Sequence, residues 1–83
     1  MEKEQVKVGE RYRYRLHQSK TGELLVDCLV EVVKHLSDEA CRFTIKEIYK
    51  DDSGNGYYTY IHRTGKEENG SYKYLSKEDD TNG

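Results

Sequence analysis

The chain has 83 residues, 34% of them apolar and 36% charged, with a formal net charge of −2. A domain this small buries only about 60–65% of the surface its unfolded chain exposes, so the core is thin and a deep, water-excluding catalytic pocket is not expected. No run approaches the roughly 18 apolar residues of a membrane span, and the opening Met1 to Gln5 lacks the apolar segment of a signal peptide. A cytoplasmic protein without membrane contact is therefore expected.

Met1 to Gln5 and Ser76 to Gly83 are polar and carry no apolar period. The expected ordered domain is thus 6–75, with 1–5 and 76–83 as flexible tails. The first strong signal is Gly9 to Leu16, where the side chains alternate with the two-residue period of a strand. Tyr12, Tyr14 and Leu16 fall on one face and Arg11, Arg13, Arg15 and His17 on the other. The charge is also uneven along the chain. Residues 1–20 hold six Lys/Arg against three Asp/Glu, whereas 51–83 hold four against seven.

Gln18 to Glu23 is a polar, glycine-containing break. The apolar run after it, Leu24 to Leu36, is ambiguous. Leu25, Cys28, Leu29, Val32, Val33 and Leu36 fit helical spacing, but four valines and an immediately following strand favour a strand. A strand is the first reading and a helix over 24–36, giving an α+β fold, is the alternative. Cys41 to Lys46 alternates cleanly. The pattern then slips at Glu47 and recovers at Ile48, which predicts a β-bulge near Lys46–Glu47. With Leu36 to Glu39 as the hairpin loop, His35 faces Ala40, Val32 faces Phe43 and Val30 faces Ile45. That register separates Cys28 from Cys41, and both are read as reduced thiols.

Lys50 to Gly56 reads as a turn, Tyr57 to Arg63 as a fourth strand, Thr64 to Ser71 as a long loop, and Tyr72 to Leu75 as a short closing edge strand. Five short strands, one of them bent, point to an all-β fold: a small barrel whose closure would remove unpaired edges. Val8 to Tyr14, Val30 to Val33 leading into Arg42 to Ile45, and Tyr72 to Leu75 resemble Src-homology-3-like small β-barrels of bacteria. The resemblance implies a five-stranded barrel and a binding role. The acidic loop and the Trp and Pro positions of the proline-peptide-binding members are missing, so that ligand is not implied.

Two surface features carry the functional expectations. Arg11, Arg13 and Arg15 stand about 6.6 Å apart on one strand face, where they could track phosphates or pair with acids such as Glu31. Tyr58 with Tyr60, and Tyr72 with Tyr74, each put two rings on one side of a strand. Together they could make a platform on which a base would stack for about 1–3 kcal/mol, although tyrosines must also help fill so small a core. The first reading is a non-catalytic protein-binding module, a monomer or weak homodimer, using Arg11, Arg13, Arg15, Tyr58, Tyr60, Tyr72 and Tyr74. The alternative is single-stranded nucleic-acid binding through the same residues. Asp51, Ser53, Asn55 and Gly56 match half of a calcium loop, but His62 stands where the bidentate glutamate belongs, so these residues read as a turn. His17, His35 and His62 are scattered, and no nucleophile–base arrangement is legible. Neither a metal, a cofactor nor an enzymatic activity is expected.

Overall fold

The computed structural model describes residues 1–57 and 63–78. Five antiparallel strands form one sheet: β1 (Arg11–His17), β2 (Leu24–His35), β3 (Ala40–Ile48), β4 (Glu67–Ser71) and β5 (Leu75–Lys77), in the order β4-β3-β2-β1-β5. Two 3-10 turns, Lys3–Gln5 and Tyr72–Tyr74, complete the regular structure, and there is no α-helix among the described residues. The fold is all-β. No helix among these residues is long and apolar enough to cross a membrane.

Alternation decides the two long strands. Tyr12 and Tyr14 of β1, Val26, Cys28, Val30 and Val32 of β2, and Cys41, Phe43 and Ile45 of β3 point to one side and form the core with Val6, Tyr72 and Leu75. The run 24–36 is therefore strand rather than helix. Its valines sit on a pleated surface where branched side chains pack without the rotamer loss a helix would impose. Val32 pairs with Phe43 and Val30 with Ile45, as the sequence pattern requires. Lys46 is the residue left out of the ladder, since Leu29 pairs with Glu47 while Val30 pairs with Ile45. The predicted bulge is present. A second irregularity skips Val33, so His35 pairs with Cys41 rather than with Ala40. Cys28 and Cys41 are both free and buried, and burial pushes their thiols up to about 12 and about 11.

The chain beyond residue 63 departs from the sequence reading. Residues Glu67–Ser71, expected within a loop, are β4, paired with β3 from Thr44↔Glu67 to Ala40↔Ser71. Their composition, Glu-Glu-Asn-Gly-Ser, carries no strand signal, because an edge strand takes its stability from its neighbour's backbone. Gly70 supplies the one steric requirement. A Cβ there would stand 2.7 Å from both Phe43 Cε2 and Tyr14 Cε1. Tyr14 belongs to β1, three places from β4 in the sheet, so the sheet curls until opposite parts of it touch. The expected edge strand at Tyr72 to Leu75 is a 3-10 turn followed by β5, which starts at Leu75 and pairs Tyr14↔Leu75, Arg13↔Ser76 and Tyr12↔Lys77. Ser71 caps this turn by accepting from the Lys73 N–H. That one turn joins β4 and β5, the two ends of the strand order.

Both segments expected as tails carry structure. The Met1 ammonium donates to the Tyr72 and Leu75 carbonyls at 2.9 and 3.2 Å, and Ser76 and Lys77 lie in β5. Of the expected fourth strand, Tyr57 to Arg63, positions 58–62 lie outside the described residues. The turn before it is present: Lys50 bridges Gly56, and Asp51 Oδ1 accepts from the N–H groups of Ser53 and Asn55. Asp51 thus spends its carboxylate on its own turn.

Candidate functional site

Because β1 and β2 alternate, the face of their ladder opposite the core carries Arg11, Arg13 and Arg15 against Glu31, Leu29 and Asp27 in direct register. The sequence places three guanidiniums there. The structure adds what they meet. Asp27, only 4% exposed, stands across from Arg15 and diagonally from Arg13. Arg13 Nε and Nη2 donate to its two carboxylate oxygens at 2.6 and 2.8 Å, a bidentate pair. Arg15 Nε lies 3.4 Å from the same Asp27 Oδ1. Arg11, at the exposed end of the row, reaches Glu31 Oε1 at 3.5 Å.

Tyr49 covers this cluster. The β3 strand ends one residue before it. Its N–H donates to the Asp27 carbonyl at 2.9 Å, while the Asp27 N–H donates to the Tyr57 carbonyl at 3.2 Å. The base of the Lys50 to Gly56 turn is thereby fastened to β2 beside Asp27, and the Tyr49 ring comes to rest over the Arg13 guanidinium, 3.8 Å from its carbon to the ring centroid. Arg13 is clamped between a carboxylate and an aromatic face. The Asp27 hydrogen bond raises the Arg13 pKa further, and burial pushes the Tyr49 hydroxyl up.

The arginine row is thus split. Arg13 is committed to Asp27, Arg15 is partly committed to it, and Arg11, whose side chain is half exposed, keeps donors for another molecule. Of the two readings of this row, the acid pairing is the one seen, with Glu31 at Arg11 and with Asp27 at Arg13 and Arg15. Of the expected tyrosine platform, Tyr58 and Tyr60 lie outside the described residues. Tyr72 and Tyr74 do not share a face, because successive residues of a 3-10 turn are rotated by a third of a turn. Tyr72 is buried in the core, where its hydroxyl shares a hydrogen bond with His35 Nδ1. Tyr74 is exposed at the surface and meets the edge of Tyr14 at a centroid distance of 6.0 Å.

Sequence reading overlooked Asp27 and Tyr49. A signal for Asp27 was present: it is the lone carboxylate between Leu24 and Val30, next to a strand with three alternating arginines. Tyr49 had none, because its place depends on how the following turn docks onto β2.

Among the described residues, no group of three or more His, Cys, Asp and Glu is arranged to hold a metal ion. One concavity, about 460 Å³, opens at the other end of the arginine row and is lined by Lys7, Glu10, Arg11, Tyr12, Lys77 and Glu78 with Met1 and Gln5. A second, of about 340 Å³, lies along Lys3, Asp38, Glu39, Tyr72 and Lys73. Both are charged surface grooves. No protein-family model, no curated protein and no solved structure matches this chain.

Proposed function

We propose that this chain is a non-catalytic protein-binding module of the Src-homology-3-like barrel type, acting in the cytoplasm through the outer face of β1 and β2. The observation that carries this reading is the Asp27 carboxylate. By neutralising Arg13 and partly engaging Arg15, it offsets one of the three positive charges that a phosphate backbone would use, and counterion release scales with the phosphates neutralised. What is left is a patch of low net charge containing the half-buried Tyr49 ring and the exposed part of Arg11. Aromatic and arginine groups supported by fixed neighbours suit protein contacts, where Tyr and Arg contribute large area and directed hydrogen bonds. The direct passage of β4 through one 3-10 turn into β5 supports the barrel assignment.

The test is selection of random peptides displayed against the immobilised domain, with an Arg11→Glu, Arg15→Glu double variant run in parallel. The expected result is a peptide family retained by the parent and lost by the variant. The reading is overturned if no family emerges, or if a single-stranded oligonucleotide binds the parent with a steep decline between low and physiological salt.

A further inference from the structure

We propose, on the basis of that protein-binding reading, that the groove of about 460 Å³ beside the start of β1 takes an extended peptide bearing an acidic side chain. Its carboxylate is received between Lys7 and Lys77, with Arg11 at the rim. The volume lies within the range of about 300–1,000 Å³ typical of ligand clefts.

Three features of the groove point to this occupant. The first is the state of its cations. Neither Lys7 nor Lys77 forms an ion pair among the described residues, a state they share with most of the chain's lysines, but these two line one groove together. The second is the rigidity of its floor. The Tyr12 hydroxyl, anchored on a buried ring, accepts from the Lys7 N–H at 2.8 Å and donates to Glu10 Oε2 at 3.3 Å. This fixes the loop carrying Lys7 and gives the Glu10 carboxylate a partner in the Tyr12 hydroxyl. The third is the strand edge beside it. The bond from the Val32 N–H to the Glu10 carbonyl makes Arg11↔Glu31 a pair without mutual hydrogen bonds, so by alternation Arg13 directs its backbone groups at β5 and bonds Ser76. Leu75 and Lys77 then face outward. The Leu75 carbonyl receives the Met1 ammonium, and by the same alternation the Lys77 N–H points away from β1. A peptide laid along this edge gains a backbone donor next to the two lysines.

A phosphate chain fits the groove less well. Glu10 and Glu78 lie in the same lining, and Tyr12, buried to all but 4% of its surface, offers no ring face for a base to stack upon. A short peptide with separated acidic residues can place its carboxylate at the lysines and keep clear of both glutamates.

The experiment is an amide correlation NMR titration of the intact chain with an acetylated, amidated heptapeptide of sequence Ser-Val-Glu-Val-Glu-Val-Ser. Its Gln-for-Glu counterpart and a single-stranded oligothymidylate serve as comparisons. The expected result is saturable shifts at Lys7, Arg11, Tyr12 and Lys77 with the acidic peptide, weakened at least about tenfold by glutamine in the peptide or by Lys7→Gln with Lys77→Gln. Both lysines are exposed, and the variant's own spectrum reports whether it folds. Equal binding of the Gln peptide, shifts caused by the oligothymidylate in place of the peptide, or no shifts in the groove would overturn the inference. Shifts confined to Arg15, Leu29 and Tyr49 would overturn it while leaving the protein-binding reading intact. The failure of peptide selection described above would remove both.

Discussion

The two faces of the β1–β2 ladder are held by opposite means. The inner face packs Tyr12, Tyr14, Val26, Cys28, Val30 and Val32 against β3, and needs only shape and apolar area. The outer face sinks Asp27, which must then be matched oxygen by oxygen with Arg13 and sealed by Tyr49. The difference teaches that the inner face adds stability as it grows, whereas the outer face recovers through pairing what its burial of charge costs. The outer pair contributes geometry above all: it holds Tyr49, and with it the following turn, at one place on β2.

The largest expected effect tests the inner face. Phe43→Ala removes a fully buried ring that packs against Tyr14 at 4.9 Å and is expected to cost about 3–5 kcal/mol in urea denaturation, enough to unfold a marginal domain. Asp27→Ala follows at about 3 kcal/mol, since it strands the Arg13 guanidinium with only the Tyr49 ring. The comparison sharpens with the pair replaced together. Arg13→Met combined with Asp27→Leu is expected to lie within about 1 kcal/mol of the parent, and a double variant as unstable as Asp27→Ala would mean that the ion pair itself drives folding.

Gly70→Ala is expected to cost about 1–3 kcal/mol, because the new methyl must displace two rings of the core, and thermal unfolding measures it. Alkaline pH should weaken the fold, chiefly through buried groups of the inner face. Burial raises Cys28 from 9.0 to about 12, Cys41 from 9.0 to about 11, and Tyr14 from 10.0 to about 12. As pH rises above 9.0, the unfolded chain gives up these protons first, so the unfolded state gains and stability falls until the folded values are passed. The loss is at most about 1.4 kcal/mol per pH unit for each group, and denaturation midpoints across that window read it. The smallest effect belongs to the exposed end of the outer face. Arg11→Gln breaks only the 3.5 Å contact with Glu31 and is expected to change stability by less than about 0.5 kcal/mol.

What was legible in the sequence follows the same division. Strong alternation at Arg11 to Leu16 and at Cys41 to Lys46 reported the inner face, because period and burial are the same fact seen twice. Even the bulge at Lys46 was readable, as a slip in that period. The segment Glu67–Ser71 was not, since an edge strand borrows its shape from β3 and needs only a glycine where Tyr14 and Phe43 crowd it. Tyr72 to Leu75 misled for a related reason: a Tyr-Lys-Tyr-Leu alternation matches a strand, yet Tyr72–Tyr74 form the 3-10 turn that carries the chain from β4 at one end of the strand order to β5 at the other. At the candidate site, the arginines were visible and their partner was not, because pairing on the outer face depends on cross-strand register rather than on any local pattern.

The skipped residue in β3 also bears on which changes of length the chain can absorb. With Lys46 outside the ladder, removing it would leave Val30↔Ile45, Leu29↔Glu47 and Cys28↔Ile48 as they stand, whereas removing Thr44 would turn Ile45 out of the core and put Lys46 opposite Val30. A one-residue deletion at Lys46 therefore spares the pairing and alters only the bend. Lys46 acts as an adjustable spacer that sets how sharply the sheet wraps, independently of which side chains meet.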